Sequence, residues 1–381
     1  MSAETEESQV PDVRQVIDTL QSALLSRYGD DVDLLFQYGS HLSGTTHKYS
    51  DVDLSWVPAH DDTWGSITVM VDETLFDLYP MHWAHLERMA DCRDVSSSVL
   101  LSSRLLYQRT GAAGERFAAL AARLRSLQEP AARPVMVRRA LEIFQSTGYE
   151  YYLLREQAAA GQVAGTLKAA QAILRTVLHC LAVCNQACID TRKLAQVLAL
   201  PRLPAGFPAT VDRVVAAMAP PEALDAIDAL LATTRDLLLA EQRAVERGEA
   251  SYADAFAAGY PELKRELQAI LLACEQANLF AAKGAVLSLL HEMSRGIAQV
   301  VTGVEATPFN ALADYAQELT ALGFPALLAP LVEGDFATLG QRCYLFDQRL
   351  QAFFHENGVG LNNFATLDEL QHFLRPSPLC G

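Results

Sequence analysis

The spacing of apolar residues predicts short helices and strands in the first hundred residues. Apolar residues recur every three or four positions over Val13–Tyr28, which predicts a helix that Gly29 ends. Residues 33–38 form a short apolar run, and residues 51–57 alternate apolar with polar. Both patterns predict strands, and residues 76–81 predict a third.

Two further segments of this region have weaker patterns. Asp61 and Asp62 can cap a short helix over residues 63–74, so Asp72 and Glu73 read as helix-end residues. Residues 103–108 fit either a strand or the end of a helix. The first part of the chain is therefore predicted to be mixed α/β.

Beyond about residue 112, Ala and Leu dominate and the helical period takes over. We predict helices at residues 117–127, 135–158, 166–188, 191–198, 211–218, 221–247, 261–278, 279–301, 308–322, 336–355 and 367–374. A polar segment near residue 250 indicates a boundary. The predicted fold is α+β: a small mixed-sheet domain (1–112), then all-α regions forming a helical domain (113–250) and a second helical domain (251–381).

Composition narrows the function classes. The 381 residues are 50% apolar, which excludes a disordered protein, and the net charge is −16, which disfavours binding to long nucleic acids. The first twelve residues lack a signal-peptide pattern, and no uncharged apolar run reaches the roughly 18 residues of a membrane span. Seven cysteines, an odd number, suggest free thiols in a reducing compartment. We expect a cytoplasmic protein with no membrane partner.

The charge is unevenly spread along the chain. Residues 1–100 contain 18 acidic and 5 basic side chains, whereas residues 104–139 contain eight arginines and two glutamates. A local cation cluster of this kind is most simply a solvated helix face. The overall acidity still allows a small phosphorylated ligand held by a few cations or metal ions.

One segment, residues 36–54, combines residues that suit phosphate chemistry. A predicted strand ends at Gly39-Ser40, ten residues follow, and Asp51-Val52-Asp53 begins the next strand. Alternate residues of a strand face the same side, so Asp51 and Asp53 project together. Adjacent carboxylates repel each other, and a hard cation such as Mg²⁺ removes the conflict.

Gly39 and Ser40 suit the same chemistry. Glycine allows a tight turn and a close approach of the backbone to phosphate. Backbone N–H groups in such a turn, together with the Ser40 hydroxyl, can bind phosphate oxygens.

This arrangement resembles the polymerase-beta-type nucleotidyltransferase superfamily, whose signature is Gly-Ser, a spacer of about ten residues, and Asp-x-Asp. Here Gly39, Ser40, Asp51 and Asp53 match the signature, and Ser50 precedes the first aspartate. With its helical C-terminal region, the chain is most similar to the bacterial antibiotic nucleotidyltransferases of the aminoglycoside type.

The resemblance implies a site that holds two Mg²⁺ ions on Asp51, Asp53 and a third carboxylate. We choose Asp77 as the third, because a bare aspartate in an apolar, strand-like run is costly unless it is paired or metal-bound. Asp72 and Glu73 are its rivals, and Asp77 is alternatively the base that deprotonates the acceptor hydroxyl. The predicted nucleotide-binding residues are Gly39, Ser40, Ser50, Arg104 and Lys168.

The implied activity is transfer of a nucleoside monophosphate, AMP from ATP, onto a hydroxyl of a small molecule such as an antibiotic. The partners would be a nucleoside triphosphate (ATP or another NTP) and a hydroxylated acceptor. A protein acceptor stays open, as in an antitoxin-like adenylyltransferase. A catalytically inactive scaffold that binds nucleotide or protein is the non-enzymatic alternative.

Overall fold

The computed structural model describes residues 12–60, 65–246, 248, 250–257, 259–304 and 315–374. The chain divides into two compact units, Met1–Leu238 and Leu239–Gly381. A mixed sheet lies near the N-terminus and helices make up the remainder, so the α+β fold class is confirmed. The predicted division at residues 112 and 250 stays a prediction.

The first unit contains the sheet. Its strands are β1 (Val32–Tyr38), β2 (Val52–Pro58), β3 (Ile67–Val71), β4 (Thr74–Pro80) and β5 (Arg104–Gln108). They lie in the order β3-β4-β2-β1-β5, with β2 and β4 parallel and the other neighbours antiparallel. The helices are α1 (Val13–Tyr28), α2 (Ser40–Ser43), α3 (Trp83–Ala90), α4 (Ser98–Ser102), α5 (Gly111–Ser126), α6 (Arg133–Gln145), α7 (Thr147–Ala159), α8 (Val163–Cys184), α9 (Leu194–Leu198) and α10 (Phe207–Ala216). Helix α11 (Pro220–Glu246) begins in this unit and runs past its last residue, Leu238.

Helix α1 covers one face of the sheet. Its apolar side packs against alternate residues of the central strands, which form one buried cluster with it: Val16, Ile17, Leu20, Leu24, Leu35, Leu54, Trp56, Phe76 and Leu78. The intervening strand residues point to the opposite face, as the period of two requires. There Phe36 of β1 packs against Phe117 of α5, with ring centroids 5.1 Å apart.

The prediction of a helix at residues 63–74 is wrong for residues 65–74, which are the part of this segment that the structure describes. Residues 67–71 form β3, and Asp72 and Glu73 join it to β4 with φ angles of 45° and 60°. Two successive residues at positive φ make the tight turn that matches the twist of a hairpin. The segment lacks the Asn-Gly or Asp-Gly pair that usually marks such a turn, so the hairpin was missed.

Helices α6, α7, α9 and α10 of the first unit pack against α8. The helix predicted at residues 135–158 is two helices, because the chain turns at Ser146 between α6 and α7. Among the described helices, α8 alone is long and apolar enough to cross a membrane, and 67% of its most apolar window is buried inside the protein. That burial is typical of the core helix of a soluble protein.

The second unit is helical in its described part. Its helices are α12 (Tyr252–Ala255), α13 (Gly259–Glu275), α14 (Leu279–Thr302), α15 (Tyr315–Ala321), α16 (Leu328–Glu333), α17 (Phe336–Glu356) and α18 (Leu367–Leu374). Its core is rich in aromatic rings, among them Phe256, Phe346, Phe353 and Phe354. Residues 308–314 of the helix predicted at 308–322 lie outside the described residues.

We expect Phe354→Ala to destabilise the second unit by about 3–5 kcal/mol, because the substitution leaves a cavity in a fully buried aromatic cluster. Phe280→Ala is the matched control, since that side chain is 90% exposed and its loss is expected to cost less than about 0.5 kcal/mol. Urea unfolding followed by circular dichroism measures both. Equal effects of the two substitutions would contradict the described core.

Candidate active site

Strand register brings the predicted acidic residues to one edge of the sheet. Asp53 of β2 lies directly opposite Asp77 of β4 in the parallel pair. Adjacent strands are about 4.8 Å apart, so the two side chains stand side by side. Asp51 lies immediately before β2, two residues from Asp53 and exposed to solvent. All three belong to the face away from α1, because Leu54 and Phe76 point towards that helix.

Gly39 makes the turn from β1 into α2 directly against this acidic group. Its φ is +90°, a conformation that side chains with a Cβ rarely adopt. A Cβ built on Gly39 would overlap the carboxylate of Asp53. The glycine is therefore required both by the turn and by the close approach, and Ser40 follows it as the first residue of α2.

Ser50 shapes the loop that leads to Asp51. Its hydroxyl accepts a hydrogen bond from the His47 backbone N–H at 2.8 Å, and its own N–H donates to the His47 carbonyl at 2.9 Å. The side chain is buried. These contacts indicate that Ser50 fixes the approach of the chain to Asp51.

The acidic residues influence one another electrostatically. Burial, together with the neighbouring charges of Asp51 and Asp77, raises the pKa of Asp53 to about 6, although the positive charge of Arg192 opposes the shift. Repulsion between like charges in a half-buried site is unfavourable for folding and favours cation binding.

Two tyrosines border the acidic residues on the same face. Tyr38 lies opposite Asp53 in the β1–β2 pair, and its hydroxyl is 2.5 Å from that of Tyr79 on β4. Burial and this hydrogen bond, with a smaller contribution from the two aspartates, hold the pKa of Tyr38 well above its usual range. The hydroxyl pair therefore stays protonated and offers hydrogen bonds beside the carboxylates. Sequence patterns gave no signal for this pair.

The carboxylate oxygens of the three aspartates are the type of ligand that a hard cation such as Mg²⁺ prefers. The carboxylate of Asp77 accepts a hydrogen bond from the Thr68 hydroxyl of β3 at 2.8 Å. Among the residues that the structure describes, no three His, Cys, Asp or Glu side chains are placed closely enough to enclose a metal ion. The assignment of Asp51, Asp53 and Asp77 as metal ligands stays a prediction, and what the fold shows is Asp77 beside Asp53 on the adjoining strand.

Arg192 is the cation that the fold brings to the acidic group. It lies in the segment that follows α8, and its guanidinium is held by Asp190 through hydrogen bonds of 2.9 and 3.1 Å. Its charge acts on both Asp53 and Tyr38. Nothing in the local sequence around Arg192 shows that this segment returns to the sheet.

The two cations predicted to bind nucleotide, Arg104 and Lys168, are not brought to the acidic residues. Arg104 donates a hydrogen bond from Nη2 to Oε1 of Gln37 at 2.7 Å, and Gln37 pairs with Leu54 on the α1 side of the sheet. Lys168 is exposed on α8, and its side chain makes no hydrogen bond or ion pair with a described residue. Their predicted contact with the triphosphate stays a prediction without support from the geometry.

Comparison with known proteins gives little further information. No family model matches the sequence, and no curated protein matches it. Among solved structures, a nucleotidyltransferase-like protein from Exiguobacterium sibiricum is similar over 61% of this chain and 80% of that chain, with 11% identity and a TM-score of 0.31. This similarity is too low to assign the chain to a family, so the functional interpretation rests on the geometry of the site.

Proposed function

We propose that this chain is a metal-dependent nucleotidyltransferase that moves a nucleoside monophosphate, AMP from ATP, onto a hydroxyl of a small molecule in the cytoplasm. One observation carries the proposal. The Asp53 carboxylate lies between the Gly39 turn and the in-register Asp77, with Asp51 beside it. A phosphate-binding turn pressed against a group of carboxylates is the arrangement that such transfer needs.

Each residue of the site has a role in this proposal. Asp51, Asp53 and Asp77 would hold Mg²⁺, which supplies charge neutralisation at the reacting phosphate and at the leaving pyrophosphate. The N–H groups of the turn and the hydroxyl of Ser40 would bind oxygens of the triphosphate. Positioning by these groups accounts for most of the expected rate enhancement.

The acceptor side of the site is polar and acidic. The Tyr38–Tyr79 hydroxyl pair can hydrogen-bond an acceptor hydroxyl next to Asp77, whose alternative role to metal binding is that of the base. Acidic surroundings attract a cationic, hydroxylated molecule such as an aminoglycoside. We therefore propose an antibiotic-like small molecule as the acceptor.

Isothermal titration of the full chain with ATP tests the proposal. Saturable binding in the presence of Mg²⁺, lost when EDTA is added, is the expected result, because the carboxylates bind the triphosphate only through the metal. ATP binding that is equal with and without Mg²⁺, or no binding at all, would contradict the proposal.

We expect Arg192→Gln to raise the KM for the nucleoside triphosphate about tenfold and to change kcat less, because a charge-assisted contact to phosphate contributes about 1.5–3 kcal/mol. Steady-state kinetics with varied nucleotide concentration measures the effect. Arg175→Gln is the matched control, since that arginine is exposed on α8 and makes no hydrogen bond or ion pair with a described residue. An unchanged KM in Arg192→Gln would remove Arg192 from the site.

A further inference from the structure

A second cleft lies on the opposite face of the sheet, at the end where Gly39 follows β1. It has a volume of about 630 Å³ and lies between α1, the ends of β1 and β5, and α2. Its lining includes Arg14, Asp18, Gln37, His41, Leu42 and Arg104. Pockets of a few hundred Å³ commonly hold small ligands.

Two polar atoms of residues that line this cleft have no hydrogen-bond partner in the described part of the chain. Gln37 is only 3% exposed, and its carboxamide oxygen accepts from Arg104 at 2.7 Å. Its amide nitrogen has no hydrogen-bond partner among the described residues. The buried Nε2 of His41 also has none within the described part of the chain. Buried polar groups are normally hydrogen-bonded, so the buried Nε2 of His41 points to a ligand or to bound water.

Charged groups frame the cleft on two sides. Arg104 is oriented by Gln37, and the Arg14 side chain makes no ion pair with a described residue. Two guanidinium groups suit a phosphate, which they can bind with paired N–H donors. Asp12 is occupied as the N-cap of α1, which leaves Asp18, one turn beyond Arg14 on that helix, as an exposed acceptor.

We infer that this cleft binds a small phosphate monoester that also carries hydroxyl or amino donors, of the size of a nucleoside monophosphate. The two arginines and the Gln37 amide bind the phosphate, and Asp18 accepts from the donors. Asp18 would repel an anion that has no hydrogen-bond donors, and nothing would offset this repulsion. The Asp18 carboxylate therefore favours a ligand that also carries hydrogen-bond donors. The site is separate from the acidic one, because Gln37 and Asp53 belong to opposite faces of the sheet.

The cleft and the acidic site share one piece of backbone. Gln37 and His41 line the cleft, and the three residues between them include Gly39 and Ser40 of the triphosphate turn. A ligand that fixes Gln37 and His41 is therefore placed to change the affinity of the turn for nucleotide.

Titration of AMP into the Asp53→Asn variant in EDTA tests the inference without the metal site. We expect saturable binding to one site by isothermal titration, and weaker binding of inorganic phosphate. Arg14→Gln and Arg104→Gln, each introduced into that variant, should weaken AMP binding about tenfold or more. Arg27→Gln, at the other end of α1, is the matched control and should change the affinity less than about twofold.

Absence of saturable AMP binding would overturn the inference, as would unchanged affinity in Arg14→Gln and Arg104→Gln. Equal affinity for inorganic phosphate and AMP would contradict the role given to Asp18. Because no metal is present, these outcomes are independent of whether Mg²⁺-dependent ATP binding is found at Asp51 and Asp53.

Discussion

Asp53→Asn is expected to lower kcat/KM for nucleotidyl transfer at least about a thousandfold, because it removes a central carboxylate of the proposed metal site. The fold is expected to survive. Asparagine has nearly the same shape and removes the repulsion from Asp51, so the metal-free variant should unfold at the same temperature as the wild type or higher. Initial rates and thermal unfolding in EDTA measure the two effects.

Two controls separate loss of the site from loss of the fold. Asp212→Asn makes the same chemical change at an exposed position on α10 and should leave the rate unchanged. Added Mg²⁺ with ATP should raise the melting temperature of the wild type and of Asp212→Asn, because a ligand that binds only the native state stabilises it. A normal rate in Asp53→Asn, or the same ligand-induced shift, would remove Asp53 from the metal site.

Gly39→Ala is the second substitution for which we expect a large loss of activity. The methyl group would overlap the Asp53 carboxylate in a backbone conformation that alanine disfavours. We expect the rate to fall about a hundredfold or more, because the turn must move away from the carboxylates, and the free energy of unfolding to fall by about 1–3 kcal/mol.

Gly44→Ala is the matched control for Gly39→Ala. Gly44 also has a positive φ, +68°, but a Cβ at Gly44 would meet no atom within 4 Å. That variant should lose about 1 kcal/mol of stability from the backbone conformation alone and retain most of its activity. If Gly39→Ala behaves like Gly44→Ala in the rate assay, the close approach of the turn to Asp53 is not functional.

The sequence predicted the parts of the site that lie on one continuous segment. The helical period gave α1 with the observed ends, Val13 and Tyr28, and the alternating runs gave β1 and β2 to within one or two residues. The pairing of Asp51 with Asp53 on one face follows from strand geometry alone. Local patterns are sufficient here because β1, the turn at Gly39 with the short helix α2, and β2 follow one another directly along the chain.

Features that depend on which strands become neighbours were harder to predict. Asp77 was chosen from its apolar surroundings, but only the parallel pairing of β2 with β4 places it beside Asp53. The β3–β4 hairpin was missed because Asp72 and Glu73 adopt positive φ without the residues that usually signal such a turn.

The sequence did not show which of the cationic side chains lie near the acidic residues in the folded chain. Arg192 follows α8, more than a hundred residues after Asp53, and reaches it only through the packing of helices in the first unit. Arg104 is closer along the chain, but the antiparallel pairing of β5 with β1 puts it beside Gln37, on the other face of the sheet. Charge patterns do not show on which face of a sheet a residue lies.

Transfer of label from α-phosphate-labelled ATP to a panel of hydroxylated acceptors, measured with Mg²⁺ and with EDTA, tests the central claim most directly. We expect labelled aminoglycoside-like product and released pyrophosphate with Mg²⁺, and neither with EDTA or in Asp53→Asn. Label on a protein instead would support nucleotidyl transfer and show that the acceptor is a protein and not a small molecule. No transfer to any acceptor by a chain that binds ATP and Mg²⁺ would contradict a nucleotidyltransferase and favour a nucleotide-binding scaffold.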